Sequence, residues 1–121
     1  MEIFTENKGN VSIVHLGLKK EASGVSGEVE LDVDNNYLLS EAVENELAKG
    51  HHHILLNIKL VNYVDSSGLG AIFDGYKQVS EKGGIFKIAC PNVEVKRVLE
   101  ITKISKKIDI FSTQEQALQS F

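Results

Sequence analysis

Apolar and polar positions alternate along the first part of the chain in a way that predicts β-strands. Residues Val11 to Leu18 alternate apolar with mixed residues and are rich in β-branched side chains, which is typical of a strand. Glu2 to Glu6 is a weaker strand candidate that could pair with it across the turn Lys8-Gly9-Asn10. Lys19 to Gly27 predicts a loop or a loose hairpin, and Val29 to Val33 predicts a further short strand.

From Asp34 onward the pattern predicts that helices and strands alternate. A first helix is capped by Asp34, Asn35 or Asn36, ends at Gly50, and carries one apolar face: Leu38, Leu39, Ala42, Val43 and Leu47. The nearly continuous apolar run His53 to Lys59 predicts a parallel strand with both faces covered. The later elements follow in this order: a helix from Ser66 to about Lys82, a strand from Ile85 to Ala89, a helix starting at Pro91-Asn92, a strand from Ile108 to Phe111, and a terminal helix capped by Ser112 or Thr113.

This order of elements predicts one α/β domain spanning residues 1–121. Alternation of helix and strand implies crossover helices on a mostly parallel sheet, here preceded by an antiparallel pair. We therefore expect a mixed sheet of about four to five strands with about four helices. A chain of 121 residues is long enough for one hydrophobic core, and the sequence contains neither an internal repeat nor an interdomain linker.

Composition and charge narrow the possible partners. Hydrophobic residues make up 42% of the chain and charged residues 25%, as in ordinary globular proteins. The net charge of −4 argues against nucleic acid, whose recognition needs a clustered basic surface. No apolar run has the length of a membrane span, and the N-terminus lacks the basic start and apolar stretch of a signal peptide. We expect a cytoplasmic protein that binds neither nucleic acid nor membrane.

The single cysteine and a run of three histidines are candidate reactive or metal-binding groups, but the sequence around them supports neither role. Cys90 is the single cysteine, which excludes an intrachain disulfide, and we expect it to be a small buried hydrophobe at the end of an apolar run. In the triplet His51-His52-His53, only the first and third side chains could share an ion on extended backbone. No cysteine or carboxylate is placed in sequence to complete such a ligand set, so the triplet predicts a surface turn. No metal site or cofactor is expected.

The most informative segment is Tyr63-Val64-Asp65-Ser66-Ser67-Gly68-Leu69-Gly70, at a predicted strand-to-helix turn. The helix that follows has apolar positions at Leu69, Ile72, Phe73, Tyr76 and Val79. The first amides of a helix lack intrahelical partners, and they favour an anion. A serine at this position either caps the helix or carries a phosphate, and Asp65 either caps the helix or positions the Ser66 hydroxyl. The glycines fit neither a nucleotide-binding loop nor a nucleophile elbow.

The segment Val61 to Gly70 resembles the motif of STAS domains, specifically that of bacterial anti-sigma factor antagonists. The resemblance covers about Val29 to Phe121 and continues through Tyr76-Lys77-Gln78, Gly83-Gly84, Val95-Lys96-Arg97-Val98-Leu99 and Glu115-Gln116-Ala117-Leu118. It implies a protein that binds an anti-sigma factor when dephosphorylated and so releases a sigma factor. The anti-sigma factor is often a serine kinase that phosphorylates the serine after the aspartate, and a serine phosphatase restores the active form. In this chain that serine is Ser66.

The resemblance also implies a partner-binding patch around the phosphoacceptor, which comprises Asp32, Asp34, Asp65, Ser66, Ser67, Gly68 and Leu69. In it, Asp32 or Asp34 stands in for a turn aspartate that lies near the phosphorylatable serine in relatives. The chain departs from the family where a longer segment follows Leu16, a region that commonly contributes to partner recognition. No catalysis is implied. The alternative function is a STAS structural or regulatory subunit of a lipid-transport or stress-sensing complex, and a small serine-dependent enzyme ranks last.

Overall fold

A computed structural model describes all 121 residues of the chain. In chain order its elements are β1 (Glu2–Lys8), β2 (Val11–Gly17), β3 (Lys19–Glu21), β4 (Gly24–Ser26), β5 (Val29–Leu31), α1 (Asn36–Ala48), β6 (His53–Asn57), β7 (Val61–Val64), α2 (Ser66–Glu81), β8 (Ile85–Ala89), α3 (Val93–Ile101), β9 (Ile110–Phe111) and α4 (Gln114–Gln119). A single 3-10 turn, Ile104–Lys106, lies between α3 and β9. None of these helices combines the length and the apolar character needed to cross a bilayer.

The main sheet has five strands in the order β1-β2-β6-β8-β9. Only β1 and β2 are antiparallel, and they are joined by the two-residue turn Gly9-Asn10, in which Gly9 has a φ of +62°. The other three pairings are parallel, as expected where helices connect successive strands. The predicted fold class, a mostly parallel sheet of four to five strands with about four helices, is confirmed.

The two faces of this sheet are covered unequally. Alternate residues of β2 belong to different cores, since successive side chains of a strand point to opposite faces. Val14 and Leu16 join the larger core with residues of three helices: Leu39 of α1, Ile72 of α2 and Leu99 of α3. Val11 and Ile13 join a smaller core that includes Ala117 of α4. Because α4 has only six residues, it covers only part of its face.

The strand β7 was missed by the sequence analysis, which predicted one strand from His53 to Lys59 directly before the helix. The strand β6 ends at Asn57, and β7 then pairs in parallel with β5 in a separate two-stranded sheet. Val61 and Val64 at the ends of β7 are buried, whereas its two central residues are exposed. The helix α2 therefore follows β7, and the carboxyl ends of β5 and β7 lie side by side.

The segment from Lys19 to Gly27 forms a hairpin, the second of the two predicted alternatives. The Leu18 amide donates to the carbonyl oxygens of Ser26 and Gly27, at 3.0 and 3.1 Å. The Val25 side chain lies against the backbone of Gly17, where an added Cβ would come within 2.6 Å of the Val25 Cβ. The hairpin is therefore packed firmly against the end of β2.

A predicted residue occupies the cap position of α1 and of α4, and Asn92, predicted at the start of a helix, caps α3. The Asn92 side chain accepts from the Val95 amide at 2.7 Å, and the Thr113 side chain accepts from the Gln116 amide at 3.2 Å. Asn35 occupies the cap position of α1 but makes no cap bond. Its side-chain oxygen instead accepts from the Asp32 amide at 2.9 Å, because the turn before α1 folds back on itself.

Four of the five apolar positions predicted for α2 are buried or pack against the main core, and only Phe73 does not. The buried residues of α2 are Gly68, Ala71, Ile72, Gly75 and Val79. Phe73, expected on the apolar face, is 36% exposed, and Tyr76 is half-buried beside it with the two ring centroids 5.8 Å apart. Gly75 lies close to Phe86 of β8 and Val43 of α1, and Phe73 is left on the exposed side of the helix.

Glu46 of α1 is a buried carboxylate, only 3% exposed, that the sequence analysis did not single out. Its oxygens contact His51 Nδ1 at 2.9 Å and Lys49 Nζ at 3.3 Å. Burial by itself would raise the pKa of Glu46, but hydrogen bonding by His51, Ser12 and Lys49 and the positive charge of Lys49 outweigh it and hold the pKa below its usual value. At the predicted surface turn of the histidines, His51 is thus held by its hydrogen bond to Glu46. No group of three His, Cys, Asp or Glu side chains in this structure is placed to ligate a metal.

Substitution Glu46→Gln is expected to destabilise the protein by about 1–2 kcal/mol at neutral pH, because charge-assisted hydrogen bonds are lost. A carboxyl whose folded pKa is lowered stabilises the protein above the unfolded pKa, and this contribution disappears as the pH falls through the folded pKa. The unfolding free energy of the wild type should therefore decrease below about pH 4.5 more steeply than that of Glu46→Gln. Urea denaturation from pH 7 to pH 3 measures this, and parallel curves would contradict the proposed pairing.

Candidate functional site

Two turns meet at the carboxyl ends of β5 and β7. The parallel pairing aligns Leu31 with Val64, so the turn that follows each strand emerges at the same edge. The Asp65 amide donates to the Leu31 carbonyl oxygen at 3.2 Å, which extends the pairing by one residue. The start of α2 is therefore held against the turn between β5 and α1, comprising residues 32–35.

Asp65 connects these two turns through both of its carboxylate oxygens. Oδ1 accepts from the Gly68 amide at 2.8 Å, which caps α2, and Oδ2 accepts from the Val33 amide at 3.0 Å. Of the two predicted roles of Asp65, the capping role is confirmed. No hydrogen bond joins its carboxylate to the Ser66 hydroxyl. The bond to Val33 was not foreseen, because it joins residues that are 32 positions apart.

Ser66 is the first residue of α2 and is exposed, whereas Ser67 is half-buried. The cap of the helix is Asp65, so neither serine is needed for capping. The amide groups of Ser66 and Ser67 precede the first intrahelical hydrogen bond, and the positive end of the helix dipole lies there. The Ser66 hydroxyl is thus accessible to another protein, at a position that tolerates negative charge.

Gly68 belongs to the interior and not to the surface. It is buried, and an added Cβ would collide with the Leu31 carbonyl oxygen and approach Val64 Cγ1 to 2.9 Å. Its inclusion in the predicted contact patch is therefore corrected: Gly68 allows α2 to approach β5 closely and offers no side chain to a partner. Leu69, the next residue, is partly buried against the main core.

Asp32 and Asp34 lie on the turn that Asp65 holds. Asp32 Oδ1 accepts from the Asp34 amide at 3.0 Å, so this carboxylate is engaged within the turn. Asp34 is exposed, and neither carboxylate forms a hydrogen bond with Ser66. Both aspartates are chain neighbours of Val33, and the Val33 amide donates to Asp65. They therefore lie next to the site.

Exposed apolar side chains flank the same turns, and the sequence analysis did not assign them to the site. Val33 is 66% exposed, Tyr37 57% and Tyr63 54%. Val33 and Tyr37 lie on or just after the β5–α1 turn, and Tyr63 lies two residues before Asp65. Exposed large apolar groups are enriched in protein–protein interfaces. The sequence contained one sign of this surface, since Val33 is an apolar residue within a turn, where it is exposed to solvent.

The fold and the site together define an α/β domain that presents an exposed serine, beside apolar side chains, where a short parallel strand pair meets a helix. The sequence model of the STAS domain matches residues 24–117. The chain belongs to the STAS domain family.

Several relatives of this chain are anti-sigma factor antagonists. An anti-sigma F factor antagonist from Paenibacillus polymyxa is 32% identical over 120 residues, which is 98% of this chain and 92% of that protein. An anti-sigma-B factor antagonist from Bacillus subtilis is 31% identical over 90 residues, 74% of this chain and 82% of that protein. A crystal structure from Thermotoga maritima, of a protein assigned as an anti-sigma factor antagonist, superposes with a TM-score of 0.81 at 28% identity, covering 98% of this chain and 92% of that one. These relatives have a regulatory role in common.

Proposed function

We propose that this protein is a phosphorylation-controlled anti-sigma factor antagonist with Ser66 as its phosphoacceptor. The observation that carries the proposal is the exposure of Ser66 at the start of a helix whose cap is supplied by the neighbouring Asp65. Modification of Ser66 therefore removes no hydrogen bond that holds the fold. The named role of the relatives supports an anti-sigma factor as the partner.

The partner surface in this proposal comprises the Ser66 turn and the side chains that border it. Val33 and Tyr63 provide exposed apolar area, and Leu69 adds a partly buried edge. Asp32 and Asp34 add negative charge on the adjoining turn, and Ser67 lies beside the phosphoacceptor. An interface that buries such groups depends on close packing, so a bulky charged group at its centre weakens it strongly.

Phosphorylation acts in this mechanism as a local electrostatic change. A phosphate adds roughly −1.5 to −2 charge and three acceptor oxygens. The start of α2 accommodates this charge, because two free amides and the helix dipole favour an anion, although the carboxylate of Asp65 opposes it. A partner that packs on the neutral hydroxyl is repelled, and about 1.4 kcal/mol of lost interaction lowers affinity tenfold. Refolding of the domain is not required.

The proposed cycle involves three other proteins in the cytoplasm. An anti-sigma factor with serine kinase activity binds the dephosphorylated protein and so releases its sigma factor. The same kinase phosphorylates Ser66 and ends the interaction, and a serine phosphatase restores it. The protein itself contributes a surface and a hydroxyl to this cycle, and no catalytic group or cofactor of its own.

Incubation with the cognate anti-sigma kinase and ATP tests the phosphorylation site. Mass spectrometry should locate one phosphate on Ser66, Ser66→Ala should abolish its incorporation, and the neighbouring variant Ser67→Ala should retain it. Ser66→Asp should weaken binding of the anti-sigma factor at least about tenfold by calorimetry. Ser80→Asp, an equal charge change at an exposed serine near the other end of α2, should leave it unchanged. Phosphate on another residue, or equal affinities of Ser66→Asp and wild type, would overturn the proposal.

A further inference from the structure

A cleft of about 720 Å³ lies on the sheet face that α4 covers only in part. It opens at the carboxyl ends of β2, β6 and β8, between the β3–β4 hairpin and the start of α4. Open α/β sheets bind ligands at this edge, and the volume is in the range of small-molecule sites. The cleft contains none of the residues from Asp65 to Leu69, so it is separate from the phosphorylation site.

The cleft is lined by polar groups with unused hydrogen-bonding capacity. His15 Nε2 is buried without a hydrogen-bond partner, and Glu6 Oε1 lies 3.9 Å from it. Asn57 Nδ2 donates to Gln114 Oε1 at 2.8 Å, which leaves both hydrogens of the Gln114 amide free. Buried polar groups without protein partners bind water or a ligand in most proteins. Burial lowers the pKa of His15, so the imidazole is neutral near pH 7 and can accept as well as donate.

The charges around the cleft are balanced. Lys59 and Glu115 both line it, so one cationic and one anionic side chain border the same cleft. Glu6, which also lines the cleft, has its own cation, with Lys8 Nζ 3.8 Å from Glu6 Oε1. A phosphorylated or multiply charged ligand would leave charge uncompensated here. A molecule with one positive and one negative group would pair with both Lys59 and Glu115.

Cys90 lines the cleft and does not provide a reactive group. It is half-buried rather than buried as predicted, and its backbone is left-handed with a φ of +64°. Desolvation raises the pKa of its thiol, so the thiolate is disfavoured. The cleft is therefore suited to binding and not to thiol chemistry.

We propose that this cleft binds an amino-acid zwitterion, whose carboxylate pairs with Lys59 and whose ammonium pairs with Glu115. The side chain of the ligand points toward the part of the cleft that is lined by three apolar residues and one histidine: Phe4, Val25, Leu60 and His15. The β3–β4 hairpin borders the proposed site through Ser23, Gly24 and Val25.

NMR titration of the full ¹⁵N-labelled chain with each of the twenty L-amino acids, up to about 10 mM, tests this proposal. At least one should shift the amide signals of Cys90 and Gln114 in a saturable way. Its N-acetyl and carboxamide derivatives each lack one charge and should bind at least about tenfold more weakly. Inorganic phosphate should cause no saturable shift at these amides.

Substitutions of Lys59 and Glu115 test whether these two side chains pair with the carboxylate and the ammonium of the ligand. Lys59→Met and Glu115→Gln should each weaken binding about tenfold or more. The controls Lys96→Met and Glu94→Gln, at exposed positions on α3, should bind as the wild type does. The proposal is overturned if no amino acid shifts the cleft amides, if the singly charged derivatives bind equally well, or if the control variants lose as much affinity as the cleft variants.

Discussion

Gly68→Ala should destabilise the protein by about 3 kcal/mol, although alanine is the better helix former. The added Cβ would collide with the Leu31 carbonyl oxygen, which is backbone and cannot rotate away. That oxygen also accepts from the Asp65 amide, so moving it would break the junction between β5 and α2. Either the start of α2 moves away from β5 or the two-stranded sheet separates, and both changes displace Ser66. Urea denaturation of the variant measures the loss.

Gly70→Ala is the matched control for this prediction. Gly70 lies two residues further along α2, is exposed, and has no atom within 4 Å of an added Cβ. The same chemical change should therefore stabilise the protein by about 0.5–1 kcal/mol through helix propensity alone. Equal effects of the two substitutions would show that α2 does not depend on its close approach to β5.

The elements that the sequence predicted well are those with strong local signals. The strands β6 and β8 are mostly apolar runs, and Gly83-Gly84 and Asn92 mark helix boundaries near them. The start of α2 was also predicted correctly at Ser66, since the change from strand to helix periodicity coincides with a capping residue. These signals lie within a few residues of the element that they define.

The missed features depend on contacts between distant segments. The strand β7 has four residues, of which only two are buried, and its partner β5 is about thirty positions earlier in the chain. So short a pattern carries little periodicity, and parallel pairing leaves no mark on local sequence. The exposure of Phe73 has a similar cause, because the hydrophobic pattern of α2 cannot show that Gly75 and not Phe73 contacts the neighbouring elements.

The place of Ser66 in the fold was predicted, but the hydrogen bonds around it were not. The motif placed Ser66 at a strand-to-helix turn, and the structure has it exposed there. The link between Asp65 and the Val33 amide could not be predicted, since it requires the register between β5 and β7. The pairing of Glu46 with His51 likewise depends on the path of the loop after α1.

Asp65→Asn should destabilise the protein by about 2 kcal/mol and act mainly on the β5–α1 turn. Asparagine is as good a helix cap as aspartate, so its single side-chain oxygen can keep the bond to the Gly68 amide. The amide nitrogen then faces the Val33 amide, and two donors meet where a carboxylate oxygen accepted before. Asp65→Ala removes both bonds and should cost about 3 kcal/mol. Hydrogen exchange should show faster exchange at Val33 in both variants, with the Gly68 amide still protected in Asp65→Asn.

Asp65→Asn also tests whether an ordered β5–α1 turn contributes to partner affinity independently of the modification of Ser66. Asp65→Asn keeps the serine exposed at a capped helix, but it releases the turn that holds Val33, Asp32 and Asp34 in place. A flexible turn must be ordered when the partner binds, at about 0.5–1.5 kcal/mol per immobilised side chain. Affinity for the anti-sigma factor should therefore fall about tenfold or more even though Ser66 is unmodified. Unchanged affinity together with rapid exchange at Val33 would show that the β5–α1 turn lies outside the interface, because its loss of order would then carry no penalty on binding.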